Sequence, residues 1–276
     1  MKTRLTLLLL LSFSVTAFGQ KMPSDYFQEA TRYFNEGDMD KALECYLYIV
    51  ENLPRNELYP RALHNAGYVC FLQRKYQESV DAYTKLLNGG QNEREPLGGG
   101  IMADPYTNFR HRAATQISDC YYELGQYDSA LHYLALSDTV YEYISTCGNA
   151  YAEYYIQTAL RYADIYQKLG QPDKAIGKLL PQVFDSGLAD NSKIIAELEK
   201  LLKGKPKLLK QLEKAINGVY LKTFTSDYGD YDRYCIQWLG VEIVYPYKPW
   251  EDDTKESVKK KMRESEFYQM ILQMKR

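Results

Sequence analysis

Asp227, Asp230 and Asp232 crowd the stretch "SDYGDYD" near the C-terminal end of the chain. Clustered carboxylates are the ligands that hard cations such as calcium take. This spacing lacks the terminal Glu and the full ligand count of a calcium loop, and a polar hairpin turn accounts for it. The three histidines, His64, His111 and His132, share no HExxH or HxH spacing. The five cysteines, Cys45, Cys70, Cys120, Cys147 and Cys235, match no zinc pattern. They read as buried apolar fillers with room for one disulfide, and the odd count leaves at least one free thiol. There is no Gly-x-Ser-x-Gly elbow and no dinucleotide-binding glycine pattern. Cys and His are present, but nothing local pairs them as nucleophile and base. Acidic pairs on helix faces read as solvated surface. The sequence therefore predicts no catalytic residue, no cofactor and no metal.

Aromatic side chains offer a different chemistry. The chain has 27 tyrosines. Tyr228, Tyr231, Tyr234, Tyr245 and Tyr247 lie with Trp238 and Trp250 in the C-terminal third, where exposed rings could stack on a peptide or a sugar. Most of the others fall at regular places earlier in the chain, and those places define the elements that must position everything else.

Four phrases echo one another: "NEGDMDKALECYL", "LQRKYQESVDAYT", "LGQYDSALHYL" and "KLGQPDKAIGKLL". They align on Ala42, Ser79, Ala130 and Ala175. Five residues before these stand Gly37, Arg74, Gly125 and Gly170, and four after them Tyr46, Tyr83, Leu134 and Leu179. A second set of small residues, Ala30, Gly67, Ser118 and Ala163, lies twelve before. Each unit is thus an apolar-periodic segment, a turn and a second apolar-periodic segment, which is a helix hairpin. The small residues let two helices approach closely while a large neighbour fills the gap. Gly37, Gly125 and Gly170 suit the left-handed conformation that ends a helix.

This order of small residue, Tyr, Gly, Ala and aromatic resembles the tetratricopeptide repeat. The first unit matches best, with Ala30, Tyr33, Gly37, Ala42, Tyr46 and Pro54. The second departs at Arg74 and Ser79, and the fourth has Pro172 where Tyr is usual, a residue able to start a helix. The resemblance covers about Pro23–Ser186. The aligned residues are 37, 51 and 45 apart, against a family period of about 34. The second excess falls on the Gly-rich stretch Asn88–Asn108, which is not a phosphate loop because no Gly-Lys-Ser/Thr follows it. The third falls on Asp138–Tyr151, where lengthened helices are expected around a break at Gly148.

After Gly187 the pattern changes. "NSKIIAELEKLLKG" and "KPKLLKQLEKAING" read as two short amphipathic helices. "VYLKTFT", "RYCIQWLG" and "VEIVYPY" read as a three-stranded antiparallel meander, with Ile236 and Trp238 on one face and Val241, Ile243 and Tyr245 on one face. A final helix is expected from a cap near Asp253–Glu256 to about Gln273. The expected fold is therefore mainly α: a TPR-like helical-hairpin solenoid of about four repeats over 20–187, then an α+β capping module over 188–276.

Residues 1–19 read as a secretory signal peptide. Lys2 and Arg4 precede an apolar run at Leu5–Val15, and Ala17-Phe18-Gly19 is a small-x-small cleavage site. With no cysteine near the cut, a lipid anchor is not expected, and the mature chain is expected to be periplasmic or secreted without stable membrane insertion. The formal charge of −2 becomes −4 on losing Lys2 and Arg4. No Lys/Arg stripe carries interleaved aromatics, which argues against nucleic acid as a partner.

The resemblance implies that the first helix of each unit lines a concave groove that takes a protein or peptide segment. Carried onto this chain, its strongest anchors are Arg61, His64, Tyr68 and Phe71 of the second unit and Arg112 and Tyr122 of the third. The expected function is a non-enzymatic protein–protein interaction scaffold of the cell envelope. Two rivals stand beside it. The C-terminal module could itself bind a small molecule or glycan, for which an exposed Trp238/Tyr cluster would be the sign. An enzyme could have its site where repeats and tail meet.

Overall fold

The computed structural model describes residues 21–97, 106–226, 229–247 and 253–274. The expected signal peptide, the glycines of the Asn88–Asn108 stretch from 98 to 100, Asp227 and Trp250 lie outside them. Four helix hairpins come first: α1 (Pro23–Glu36) with α2 (Met39–Asn52), α3 (Tyr59–Leu72) with α4 (Tyr76–Leu87), α5 (Phe109–Glu123) with α6 (Tyr127–Thr139), and α7 (Gly148–Lys168) with α8 (Pro172–Leu179). A 3-10 turn, Leu180–Gln182, leads to α9 (Ser192–Leu202) and α10 (Leu208–Asn217). Strands β1 (Tyr220–Ser226), β2 (Gly229–Trp238) and β3 (Val241–Val244) follow, then α11 (Lys255–Glu264) and α12 (Glu266–Gln273). None of the described helices is long and apolar enough to cross a membrane.

All four hairpins turn in the same way. Gly37, Gly125 and Gly170 adopt φ of 83°, 72° and 68°. In each turn this residue and the next donate their amides back to the preceding helix: Gly37 to Phe34 O (3.1 Å) and Asp38 to Tyr33 O (2.9 Å) in the first. The left-handed residue lets the chain satisfy two helix-end carbonyls while reversing direction. Arg74 makes the same two-amide turn with Lys75, onto Phe71 O and Cys70 O, at φ 60°. A side chain in that conformation costs roughly 1–2 kcal/mol that glycine avoids.

The small residues sit where partner helices meet. Ala30, Ala42, Ala130, Ala163, Ala175 and Ser79 have no exposed surface, and Ser118 almost none. A Cβ on Gly67 would stand 3.0 Å from the ring of Tyr83, so the buried tyrosine fills the space that glycine leaves. The two serines that replace alanine are used as donors. Ser79 Oγ donates to Gly67 O at 2.8 Å, and Ser118 Oγ donates to Ala130 O at 2.7 Å. Each polar substitution thus staples the two helices of its own hairpin.

Between repeats, cores overlap from one hairpin to the next. Ala42, Tyr46 and Ile49 pack with Ala62, Ala66 and Val69 of α3. Leu63 and Tyr83 pack with Phe109, Ala113 and Ile117 of α5. Ala130 and Leu134 pack with Tyr162 and Ile165 of α7. The extra length between the third and fourth units is anchored by α5. Asn108 pairs with the backbone of Ile144 in both directions, donating to its O and accepting from its N at 2.9 Å each. His111 Nδ1–H is directed at the carbonyls of Ser137 (3.0 Å) and Tyr141 (2.9 Å). Gly148 opens α7, so the break falls at its start, and only α7, not α6, is lengthened.

The C-terminal sheet has the order β1-β2-β3 and is antiparallel throughout. Ile236 pairs with Ile243 and Trp238 with Val241 across a two-residue turn at Leu239 and Gly240, both at positive φ. The buried face of this meander joins α8–α12 in one core with Ala163 and Leu179 of the fourth hairpin, through Leu198, Leu212, Ile236, Ile243, Val258 and Phe267. The expected single final helix is two. Ser265 breaks it at ψ 151°: its Oγ donates to Met262 O and accepts from Tyr268 N, ending α11 and capping α12. Val258 and Met262 before that break and Phe267 and Ile271 after it are buried, and Met274 is half-buried. All five cysteines are free thiols.

Two outcomes follow from this packing. Ala130→Leu overfills the α5–α6 contact and lowers stability by about 1–3 kcal/mol, read as a fall in the thermal midpoint. Arg74→Gly removes the strained side chain from an exposed turn and raises stability by about 1 kcal/mol in the same measurement.

Candidate functional site: the groove between the first helices

The first helices α3, α5 and α7 converge on a cleft of about 470 Å³. Helix α3 supplies His64 and Tyr68, α5 supplies His111, Arg112, Thr115 and Gln116, and α7 supplies Glu153, Tyr154, Gln157 and Arg161. A smaller cleft of about 140 Å³ adjoins it, sharing His64 and Arg112 and adding Phe27, Arg61 and Leu97. The two together form a trough crossing four successive hairpins.

Four of the six residues expected as anchors meet here, and two do not. Tyr68 is exposed, with its ring 6.2 Å from that of Phe34. His64 and Arg112 line both clefts. Arg61 lines the smaller one but is already engaged: it is paired with Glu95 (2.7 Å) and donates to Pro96 O (2.7 Å). Phe71 packs edge-on against Tyr76 at 5.6 Å, beside the core of the second unit. The expectation that Phe71 is spare for binding therefore gives way to a packing role. Tyr122 sits edge-on to Tyr127 at 5.5 Å with Lys168 Nζ 5.9 Å from its ring, outside the cleft.

The sequence reading missed Arg161, Glu153, Tyr143 and Tyr154. Glu153 and Tyr154 lie on the added N-terminal turns of α7, and Tyr143 on the link before it. The signal was the long interval between the third and fourth phrases and its run of tyrosines. Tyr143 stacks on Tyr154 at 5.0 Å, and Tyr154 donates to Asp138 at 3.0 Å. The aromatic wall is thus held from behind by a carboxylate.

The electrostatics of the floor are set by burial. His64 is enclosed on most sides, and its pKa falls from 6.5 to about 4, so it is neutral at pH 7. Burial also lowers the pKa of His111, against the carbonyls of Tyr141 and Ser137 that favour its charged form. Asp119 is raised by burial, with the guanidinium of Arg161 (3.5 Å) acting in the opposite direction. Gln116 Oε1 is buried without a hydrogen-bond partner among the described residues. A buried acceptor left unpaired costs about 1–3 kcal/mol, so the floor of this trough is poised to take a donor from outside.

The C-terminal aromatics divide between core and surface. Tyr231 and Tyr247 are exposed with the Arg233 guanidinium over both rings (4.5 and 4.6 Å), Tyr228 and Trp250 lie outside the described residues, and Trp238 and Tyr245 are buried. Trp238 is 2% exposed and packs edge-on against Phe267 at 5.4 Å. Tyr245 is buried beside Phe184. Asp230 and Asp232 accept from Thr225 (2.8 Å) and Thr223 (2.6 Å) across the first hairpin, a structural use of carboxylates on the β1–β2 ribbon.

Four hairpins, each with a left-handed turn and a small residue at the helix crossing, make this the fold of a tetratricopeptide-repeat solenoid, extended by an α+β module. Among solved structures, the apo form of RapI is similar over 71% of this chain and 68% of its own, with 13% identity and a TM-score of 0.51. A tetratricopeptide repeat protein from Parabacteroides merdae matches 71% of this chain and 64% of its own, at 18% identity and TM-score 0.45. YrrB, described as a TPR protein with an unusual peptide-binding site, matches 72% of this chain and 87% of its own, at 16% identity and TM-score 0.44. At these identities the likeness concerns the fold alone. No family model matches the sequence, and no curated protein matches it.

A histidine held neutral by burial links stability to pH. The unfolded chain protonates His64 near its ordinary value of 6.5, whereas the folded chain resists until about 4. Its contribution is complete above pH 6.5 and is lost progressively as pH falls towards 4. Unfolding measured at pH 5 should show roughly 2 kcal/mol less stability from this group than at pH 7.5. His64→Gln should flatten that dependence, which urea titrations of both proteins at the two pH values will show.

Proposed function

We propose that the chain is a non-enzymatic scaffold for protein–protein contact, holding a peptide segment of its partner in the trough between the first helices. One observation carries this reading. Three successive hairpins aim an exposed tyrosine, two arginines, a glutamate and the Gln116 amide oxygen, which has no partner among the described residues, into one open cleft. A peptide has what this surface asks for: backbone N–H groups for Gln116 Oε1, carbonyls for Arg112 and Arg161, and an apolar side chain for Tyr68. The non-enzymatic part rests on how the reactive groups are spent. His111 Nδ1 is taken up by two carbonyls, and burial pushes the Cys120 thiol up to about 11, far from a thiolate nucleophile at neutral pH. The envelope setting rests on the signal-like segment at residues 1–19.

Tyr68 and Glu153 are both exposed on the trough, from α3 and α7. Tyr68→Ala with Glu153→Ala should leave the circular dichroism melt unchanged. It should weaken capture of the native partner roughly tenfold when immobilised mature protein is exposed to envelope extract. Capture of the same partner at full strength by the double variant would move the binding surface away from this trough.

A further inference from the structure

A second cleft, sharing no residue with the trough, opens where α9 turns into α10. Its volume is about 750 Å³. The floor is aliphatic: Leu209 in the first turn of α10 and Met274 after α12 are half-exposed, over Leu202, Leu208 and Ile271, which are buried in the core. That is the size and character of a small-molecule pocket, which is mostly apolar with a few placed polar groups.

The polar groups at its mouth are unbalanced in sign. Lys205, Lys207 and Lys210 all border the cleft. Lys205 is paired with Asp173 at 2.7 Å. The carboxylate bordering the cleft, Glu213, is already held by Arg263 Nη2 (2.8 Å) and the hydroxyl of Tyr268 (2.6 Å). Lys207 and Lys210 have no carboxylate within ion-pair distance among the described residues. Lys207 also adopts φ 60°, a backbone state that glycine or asparagine would hold with less strain. The chain places a lysine there, and its charge stands at the rim. The first turn of α10 has no side-chain cap, so its amide hydrogens add to the positive end of the cleft.

An aliphatic floor beneath an uncompensated cationic rim is complementary to one kind of molecule, an amphiphile with an anionic head and a hydrocarbon tail. We propose that this cleft binds a single long-chain carboxylate. The tail lies along Leu209 and Met274, above the buried Leu202, Leu208 and Ile271, and the head meets Lys207 and Lys210. This site is independent of the peptide trough and adds a ligand-responsive element to the module that closes the repeats. Because α12 and α10 belong to the same core as the fourth hairpin, occupancy would brace that end of the solenoid.

The full chain is titrated with cis-parinarate, whose fluorescence rises on entering an apolar site, and the probe is displaced by palmitate below its aggregation concentration. Hexadecanol supplies the same tail without the charge, and octanoate the same head with a short tail. Palmitate should displace the probe at roughly tenfold lower concentration than either. Lys207→Glu with Lys210→Glu should weaken palmitate roughly tenfold while the melt stays unchanged. If that variant fails to fold, Lys207→Gln with Lys210→Gln gives the same reading with less perturbation. Equal displacement by hexadecanol and palmitate, or palmitate binding indifferent to the lysines, would overturn the proposal. Sedimentation with phosphatidylglycerol vesicles without binding of dispersed palmitate would overturn it as well, assigning the lysines to a membrane surface. Capture of an acidic protein with no palmitate binding would do the same in favour of a macromolecular partner.

Discussion

The close approach of two helices at a buried small residue is the contact from which the rest of this structure follows. At Ala42, Ser79, Ala130 and Ala175 the partner helix leaves no room for a larger side chain. That contact fixes each hairpin as a rigid unit, and the left-handed turn before it fixes the hand of the reversal. Rigid units of one shape can only stack, since no single hairpin buries its own apolar surface. Stacking in turn sets the first helices side by side, and the trough is the space that their exposed faces enclose. The binding surface is therefore a consequence of packing geometry, and its chemistry is free to vary on positions that packing ignores.

That division explains what could be read from the sequence. The hairpins, their turns and the meander were legible because each depends on short-range rules. Glycine takes positive φ, small residues mark crossings, and alternation marks a strand with one buried face. The two-residue turn at Leu239 and Gly240 and the paired Ile236 and Ile243 follow from such rules. Ser265 was harder. Its sequence context is helical on both sides, and the break arises from one hydroxyl bonded in two directions. The site was legible only in part for the same reason. Arg61, His64, Tyr68 and Arg112 lie where the repeat geometry puts them. Phe71 and Tyr122 occupy equivalent places, but each found an aromatic neighbour in the following helix, Tyr76 and Tyr127, and was drawn into packing. Glu153 and Tyr154 depend on how far α7 extends, which is set by the anchoring of the preceding link through Asn108 and His111, contacts distant in sequence.

Charge is distributed unevenly between the two parts. Residues 20–187 contain 22 acidic and 15 basic side chains, whereas residues 188–276 contain 14 acidic and 17 basic. The near-zero total of the whole chain conceals this. An acidic solenoid and a basic end present two surfaces of opposite preference, so anions are steered away from the repeats and towards the tail within a screening length of about 8 Å at physiological salt.

The end of a solenoid poses a physical problem that the tail solves only in part. The last hairpin exposes an apolar face that must be covered, and the meander with α9–α12 covers it by extending one core across the junction. Covering with short helices leaves gaps where they end. Helix α9 stops at Leu202, α10 starts at Leu208, and α12 finishes at Gln273, so three helix ends border one cleft above a largely buried aliphatic floor. Pure capping would place polar, mixed charge over such a gap. This chain instead lines it with lysines whose carboxylate partners are only partly supplied. The same helix ends that close the repeat array thereby create a cavity with a sign.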